Sequence, residues 1–359
     1  EYYKKNKYLM KEIKQKKPKK PFKKLFVKLC RILGYEIIDQ SNLSVPTLNK
    51  KINDNLSSFN HKSITLPLGE VKITRKVLSL DIIIKTCTSV NLVTQNKKRI
   101  FEQSKSEYTF RTINSLINSI NFARKTIDKI NFNITVIDYN SKSEDLDTIK
   151  NSLNSNNMNS KIINLDMSEY EKKINIQNKN NLVIENNMKS TMASIKKSFE
   201  IASSGDGDLI YFVEDDYLHK KDSILEMLFT YEKISSICQN EIFLCPVDYP
   251  YLYMPTKKSE IFLGHNTHWR TVDESLLTFM TSKKMLNKYM RELNDMALTE
   301  HTPFETPLHD IYKNELCLSP LPSLALHCTN VNSVFGLSPN MDWIKIWNDS
   351  EKIWNENKV

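Results

Sequence analysis

Between residues 80 and 237 the chain alternates two kinds of apolar pattern, and that alternation restricts the fold more than any other feature. Leu80-Asp81-Ile82-Ile83-Ile84, Ile134-Thr135-Val136-Ile137, Lys161-Ile162-Ile163-Asn164-Leu165 and Leu209-Ile210-Tyr211-Phe212-Val213 are short, nearly continuous apolar runs. Runs of this length suit strands buried on both faces. Between them apolar residues recur at helical spacing: Phe110, Ile113, Leu116, Ile117 and Ile120; a short segment at 145–153; Met192, Ile195, Phe199 and Ala202; and a helix from about Asp222 to Ile237. Strand and helix in this order predict an α/β fold, a mostly parallel sheet flanked by helices. Ligands of such sheets bind beyond the carboxyl ends of the strands, so the polar residues there are the first to consider.

From about residue 240 the rhythm degrades. Aromatics (Tyr249, Tyr251, Tyr253, Trp269), a β-like stretch from His268 to Thr281, a helix near 283–296 and a Pro-rich run at 303–322 predict an irregular second half. The expected organisation is a basic tail, helix and linker over 1–77, a domain over 78–345 that changes character at 240/241, and a C-terminal tail over 346–359.

The 359 residues carry a net charge of +9, which resembles a nucleic-acid signature until it is located. Residues 1–30 hold twelve Lys against Glu1 and Glu12, or +10, so the remaining 329 residues sum to −1. A near-neutral body argues against a specific nucleic-acid partner. Within the basic segment, Phe22, Leu25, Phe26, Leu29, Ile32 and Leu33 recur at helical spacing with Lys23, Lys24, Lys28 and Arg31 between them. Residues 22–38 thus predict a basic amphipathic helix, placed either on an anionic membrane surface or docked on the domain with its lysines in water. No run of eighteen apolar residues occurs, and the 6 glycines form neither GxxxxGK nor GxGxxG. The six cysteines show no zinc-ligand spacing and are expected as reduced thiols of a cytosolic protein.

The chemistry concentrates in Phe212-Val213-Glu214-Asp215-Asp216-Tyr217, three carboxylates directly after an apolar strand. Adjacent carboxylates repel, and a divalent cation relieves that conflict. The other reading is a solvated acidic turn before the helix at Asp222.

With these residues, the order of elements from Asp81 to Val331 resembles the GT-A-fold glycosyltransferases, broadly the large nucleotide-sugar family numbered two. Glu214-Asp215-Asp216 is similar to that family's DxD motif. The resemblance implies a cation-dependent transferase (Mn²⁺ or Mg²⁺) with a nucleotide-sugar donor, UDP-linked in the first instance, and a glycan or lipid-linked acceptor. It implies a nucleotide-binding half at 78–240 and an acceptor half at 241–345. Asp216 becomes the expected metal ligand, with Glu214 and Asp215 beside the nucleotide sugar. Asp138, in Asp138-Tyr139-Asn140-Ser141, takes the place of the family's Asp-Asp-Gly-Ser, without its second Asp and its Gly. Thr86, in Thr86-Cys87-Thr88, is expected beside the nucleotide.

His327 ends the apolar stretch Leu324-Ala325-Leu326 and is either the family's late metal-binding histidine or a core imidazole. For the catalytic base the resemblance points first to Asp310 and then to Glu305, with Asp273-Glu274 as rivals; a helix-start cap is the plain alternative for Asp310. Trp269 and Arg270 are read as an acceptor platform or as packing plus a surface charge. His265-Asn266-Thr267-His268 reads as loop. The implied setting is cytoplasmic, peripheral on the inner face of a membrane, in the synthesis of a cell-surface glycan. Two other functions compete: a non-catalytic protein binding membranes or nucleic acid through its Lys-rich N-terminus, and a nucleotidyltransferase, which would need the Gly-rich loop that is missing.

Overall fold

The runs at 80–84, 134–137 and 209–213 become strands buried on both faces. The run at 161–165, expected to be buried in the same way, forms the edge strand Asn159–Asn164, which has no buried residue because no described strand lies beyond it. The computed structural model describes residues 21–35, 72–89, 100–127, 129–177, 182–254, 257–328 and 336–353. The tail over 1–20, most of the expected linker and the last six residues lie outside the described residues. Two units are distinguished, residues 1–72 and 73–359.

The first unit contributes one described helix, α1 (Pro21–Ile32). Its Phe22, Leu25, Phe26, Leu29 and Ile32 are all exposed, as is Leu33 after it. No described helix is long and apolar enough to cross a membrane.

In the second unit the order is β1 (Ser79–Thr86), α2 (Lys105–Arg124), β2 (Asn131–Asp138), α3 (Ser143–Ser155), β3 (Asn159–Asn164), α4 (Leu182–Ser204) and β4 (Leu209–Glu214). Then come β5 (Tyr217–His219), α5 (Ser223–Cys238), β6 (Phe243–Leu244), β7 (Ile261–Leu263), β8 (His268–Thr271) and β9 (Phe279–Ser282). The chain finishes with α6 (Lys283–Lys288), α7 (Met290–Leu298), α8 (Thr306–Tyr312), β10 (Cys317–Leu321), β11 (Ala325–His327) and α9 (Trp343–Asp349). One sheet runs β3-β2-β1-β4-β9-β6-β10-β8-β7, and β5 pairs with β11 in a separate ribbon. The β3-β2-β1-β4 portion is parallel; β9 joins β4 and β6 antiparallel, β10 pairs parallel with β6, and β8 and β7 close the far edge antiparallel.

Alternation along each strand feeds two apolar layers. Ile82, Ile84, Tyr211 and Val213 join Ile113, Leu116, Ile117 and Ile120 of α2. Ile83, Ile210 and Phe212 point the other way, onto Met192, Ile195 and Phe199 of α4. Each such aliphatic side chain, fully buried, contributes roughly 1.5–3 kcal/mol. A third, smaller cluster joins Tyr108, Leu218 and Leu326 to Ile346 and Trp347.

That third cluster corrects the expected C-terminal tail: α9 belongs to the domain, with Trp347 stacked on Phe101 at 4.0 Å. The start also moves. Residues 73–77, expected as linker, are held to the domain by Arg75, whose guanidinium reaches Asp208 at 2.6 Å and Glu241 at 3.0 Å. The β-like stretch from His268 to Thr281 is two strands joined by a loop, and the helix near 283–296 is divided at Tyr289. All six cysteines are free thiols; Cys245 and Cys317 lie 3.4 Å apart because β10 runs beside β6.

Candidate functional site

In the parallel half, β1 leads to β2 on one side, while β4 lies against its other side. Ligands of open α/β sheets enter at this reversal, beyond the carboxyl ends of the two central strands. Thr86 and Glu214 end those two strands, so the acidic triplet stands at that point.

Its three carboxylates face three different partners. Glu214 pairs with Lys85 of β1, its register neighbour, at 3.3 Å. Asp215 is buried and turned towards α2: it pairs with Lys105, accepts from Thr109 Oγ1 at 3.0 Å and from the Cys87 backbone N–H at 3.3 Å. These bonds lock β4 to the start of α2 and leave Asp215 with an internal partner set instead of the open face expected beside a donor sugar. Asp216 is half-buried, and its Oδ1 lies 3.7 Å from Nε2 of His327.

The last contact is built by strand pairing. Residues 216 and 327 are far apart in sequence, but β11 lies antiparallel to β5 and sets His327 opposite Tyr217. The Cys328 N–H donates to the Asp216 carbonyl at 2.8 Å and closes the ribbon at that end. The imidazole stacks on the Tyr217 ring at 4.4 Å and 11°, and the Tyr249 hydroxyl approaches its Nδ1 at 3.5 Å. Tyr217 and Tyr249 share a hydroxyl contact of 2.6 Å. Burial, with the nearby Glu214 charge, holds both phenols well above their ordinary pKa, so they stay neutral and fix the ring by packing. His327 is therefore a positioned, half-buried imidazole beside a carboxylate.

Thr86 and Asp138 meet at the ends of β1 and β2, where Thr86 Oγ1 donates to Asp138 Oδ1 at 2.8 Å. The other oxygen, Oδ2, accepts from the Ser141 N–H at 3.1 Å. Both residues are buried, so as placed they shape the turn after β2. Asn140 adopts φ +59, the left-handed conformation. Asparagine tolerates it better than other non-glycine residues, which suits the tight turn after β2.

The two expected bases part company. Asp310 is exposed on α8 and pairs with Lys313 at 2.5 Å. Glu305, at the helix start, is half-buried and has no side-chain capping bond. Burial pushes its carboxyl up to about 7, with repulsion from Glu214 adding and Lys85 opposing. Glu305 therefore belongs with Glu214 and Lys85, and Asp310 does not.

Trp269 cannot serve as a sugar platform as placed: its side chain is fully buried, and its Nε1 faces the Glu226 carboxylate at 3.3 Å. That buried carboxylate also accepts the backbone N–H groups of His265 at 3.0 Å and Asn266 at 2.7 Å, which holds 265–267 from beneath as a loop, while His268, expected in the same loop, begins β8. Arg270 is also buried, paired with Asp248 at 2.7 Å and lying 4.0 Å over the Tyr253 ring. The β8 position sets both, since β8 lies between β10 and β7.

Lys85, Tyr217 and Tyr249 were not singled out for a role by sequence reasoning. The first had a legible signal, a lysine at the end of an otherwise apolar buried strand. The tyrosines had none beyond adjacency to the triplet.

Among the described residues, no group of three or more His, Cys, Asp or Glu side chains converges closely enough to hold a metal. Asp216 and His327 nevertheless fit a divalent ion as a two-ligand platform, one carboxylate and one imidazole, with substrate oxygens and water as the remaining ligands.

No family model matches the chain, and no curated protein matches it. Among solved structures it is similar to a galactosyltransferase LgtC in complex with donor and acceptor sugar analogs, at 10% identity and TM-score 0.30 over 66% of each chain. It is similar to a UDP-glucose pyrophosphorylase complexed with UDP-glucose, at 8% identity and TM-score 0.39 over 76% of this chain and 96% of that one. It is similar as well to the bifunctional glycosyltransferase WbbM, at 9% identity and TM-score 0.34 over 64% of this chain and 35% of that one. The chain spans 64% and 66% of the two LgtC chains it matches. Such values leave the chemistry of this chain to its own residues.

Proposed function

We propose that this chain is a glycosyltransferase that moves a sugar from a nucleotide-diphosphate donor, UDP-linked in the first instance, to a glycan or lipid-linked acceptor. The observation that carries the reading is the meeting of Asp216 and His327, 3.7 Å apart, beside the reversal point of the parallel sheet. In this reading Asp216 and His327 hold Mn²⁺ or Mg²⁺, which when bound neutralises charge on the departing nucleoside diphosphate.

The residues divide the remaining work. Thr86, Asp138 and Asp215 hold the ends of β1, β2 and β4 in register, giving the donor a rigid floor. Lys85 pairs with Glu214 and offsets the local negative charge. Glu305, half-protonated near neutral pH, takes the proton from the acceptor hydroxyl as the new bond forms. Asp310 instead points its charge to solvent and Lys313.

The test is calorimetric titration of the intact chain with UDP, GDP and CDP, each with and without Mn²⁺. One nucleotide should bind only in the presence of the cation. Nucleotide binding indifferent to Mn²⁺, or none at all, defeats the proposal.

The first unit favours a membrane setting, on the cytoplasmic face where anionic lipid is available. Helix α1 exposes Phe22, Leu25, Phe26, Leu29 and Ile32, with Lys23, Lys24, Lys28 and Arg31 in the same segment. Apolar insertion together with attraction to anionic lipid is the usual basis of such binding. The chain should sediment with phosphatidylserine-containing vesicles and much less with phosphatidylcholine alone, and Phe26→Asp with Leu29→Asp should release it. Equal sedimentation of that variant would remove α1 from the account.

A further inference from the structure

At the other end of the β5–β11 ribbon, where His219 faces Ala325, a cavity of about 730 Å³ opens among α2, the Lys220–Lys221 turn and α9. It lies three residues along the chain from Asp216, roughly 10 Å at the rise of an extended strand. None of the residues assigned to the sugar-transfer site lines it. Its volume falls within the range of small-molecule sites.

The charge on its walls is uneven. Lys125, Lys220, Lys221 and Lys345 line it against two carboxylates, Asp342 and Asp349. Asp342 accepts from the Lys345 N–H at 2.9 Å as the helix cap, and Asp349 pairs with the Lys345 ammonium, so four ammonium groups face two carboxylates. His219 on the floor is fully buried, shares a 2.6 Å contact with the Tyr211 hydroxyl, and is pushed by burial down to about 3. It is neutral at physiological pH, so the lysines alone supply the positive charge. Lys220 is half-buried, with its pKa lowered by burial and only the nearby Asp222 opposing. No ion pair or hydrogen bond holds its Nζ among the described residues. An ammonium drawn from water without a counterion is unfavourable, and a bound anion removes that cost.

The rest of the lining is apolar. Phe122, Met341 and Ile346 contribute hydrocarbon surface, and the Lys221 ammonium lies 5.4 Å from the Phe122 ring centroid. A simple inorganic ion would leave this surface uncovered.

We propose that the cavity binds a phosphate monoester with an apolar body, its head on Lys220 and Lys221 and its body against Phe122 and Ile346. Two neighbouring ammonium groups suit a dianion, and lysine binds phosphate as a point charge without the planar geometry that arginine requires. A lipid phosphate and a soluble phosphate ester share this chemistry.

The experiment uses the full chain carrying Phe26→Asp and Leu29→Asp, so that α1 offers no competing amphiphile site. Decyl phosphate below its micellar concentration, glycerol 3-phosphate, inorganic phosphate and neutral decyl maltoside are titrated separately by calorimetry. Decyl phosphate should bind more tightly than decyl maltoside, and the Lys220→Gln/Lys221→Gln variant should weaken it by about tenfold or more. The exposed Lys125→Gln, which poses no folding risk, should weaken it less. Decyl phosphate exceeding glycerol 3-phosphate supports a lipid source, and the reverse order a soluble one. Equal affinity for decyl phosphate and decyl maltoside overturns the proposal, as does no phosphate binding or an unchanged affinity in the double variant. Displacement of decyl phosphate by UDP with Mn²⁺ also overturns it, because the ligand would then occupy the carboxylate site. Failure of the sugar-transfer proposal leaves these outcomes unaffected.

Discussion

Asp216→Ala is expected to lower sugar transfer by at least about 10²–10³-fold, the loss usual when a group stabilising transition-state charge is removed. The carboxylate is half-buried, and the contact that closes the ribbon uses the Asp216 backbone carbonyl, which alanine retains. The thermal midpoint should therefore stay within a few degrees of wild type. His327→Ala should lose activity too, but it also removes a ring stacked on Tyr217 and is the less clean variant. The measurement is donor turnover across a Mn²⁺ titration, alongside a thermal melt. Undiminished turnover in folded Asp216→Ala removes the site assignment, whatever the fold.

Glu305→Gln carries the second large effect. A general base contributes typically 10²–10⁴-fold, so a loss of about that size is expected in kcat/KM. The pH profile separates this role from a structural one. With the carboxyl pushed up to about 7, wild-type activity should rise through neutrality as Glu305 loses its proton, and the variant should lack that limb. Stability moves the opposite way. A carboxyl with a raised folded pKa binds its proton more tightly when folded, so its contribution is complete below the ordinary value of 4.5 and is lost as pH rises through 7. Relative to wild type, Glu305→Gln should then be more stable at pH 8 than at pH 5, by on the order of 1 kcal/mol after allowance for its partial exposure. Melts at the two pH values check the sign. Retention of the wild-type limb by Glu305→Gln would return the role of base to another group, whereas Asp310→Asn should leave the profile unchanged.

Both predictions rest on residues legible to different degrees. Asp216 was legible because its signal is local: carboxylates directly after a continuous apolar run sit at the end of a buried strand in any parallel sheet. His327 ended an apolar run in the same way. The resemblance put Asp310 ahead of Glu305, although both stand near a helix start in a Pro-rich segment and no local pattern says which one is buried. Helix α8 buries Pro307, Leu308, Ile311 and Tyr312, and that choice of face sends Asp310 to solvent. Trp269 failed for a related reason: an aromatic next to an arginine can face a ligand or the core. A nine-stranded sheet with β8 between two neighbours left its indole no open side.

The sequence by itself determined the alternation of strands and helices, the near-neutral body behind a basic N-terminus, the apolar stripe of α1 and the strand end on which Asp216 stands. These follow from periodicity and from charge, properties of neighbouring residues. The tertiary structure alone decided that His327 meets Asp216, that Cys245 lies against Cys317 and that the segment around Arg75 belongs to the second unit. It also decided that the half-buried Glu305 carboxyl lies within the electrostatic reach of Glu214 and Lys85 and that four lysines line a separate cavity. Each of these joins residues distant in the chain through strand pairing or helix packing, and such contacts are set by which apolar faces bury one another, a choice no local pattern specifies.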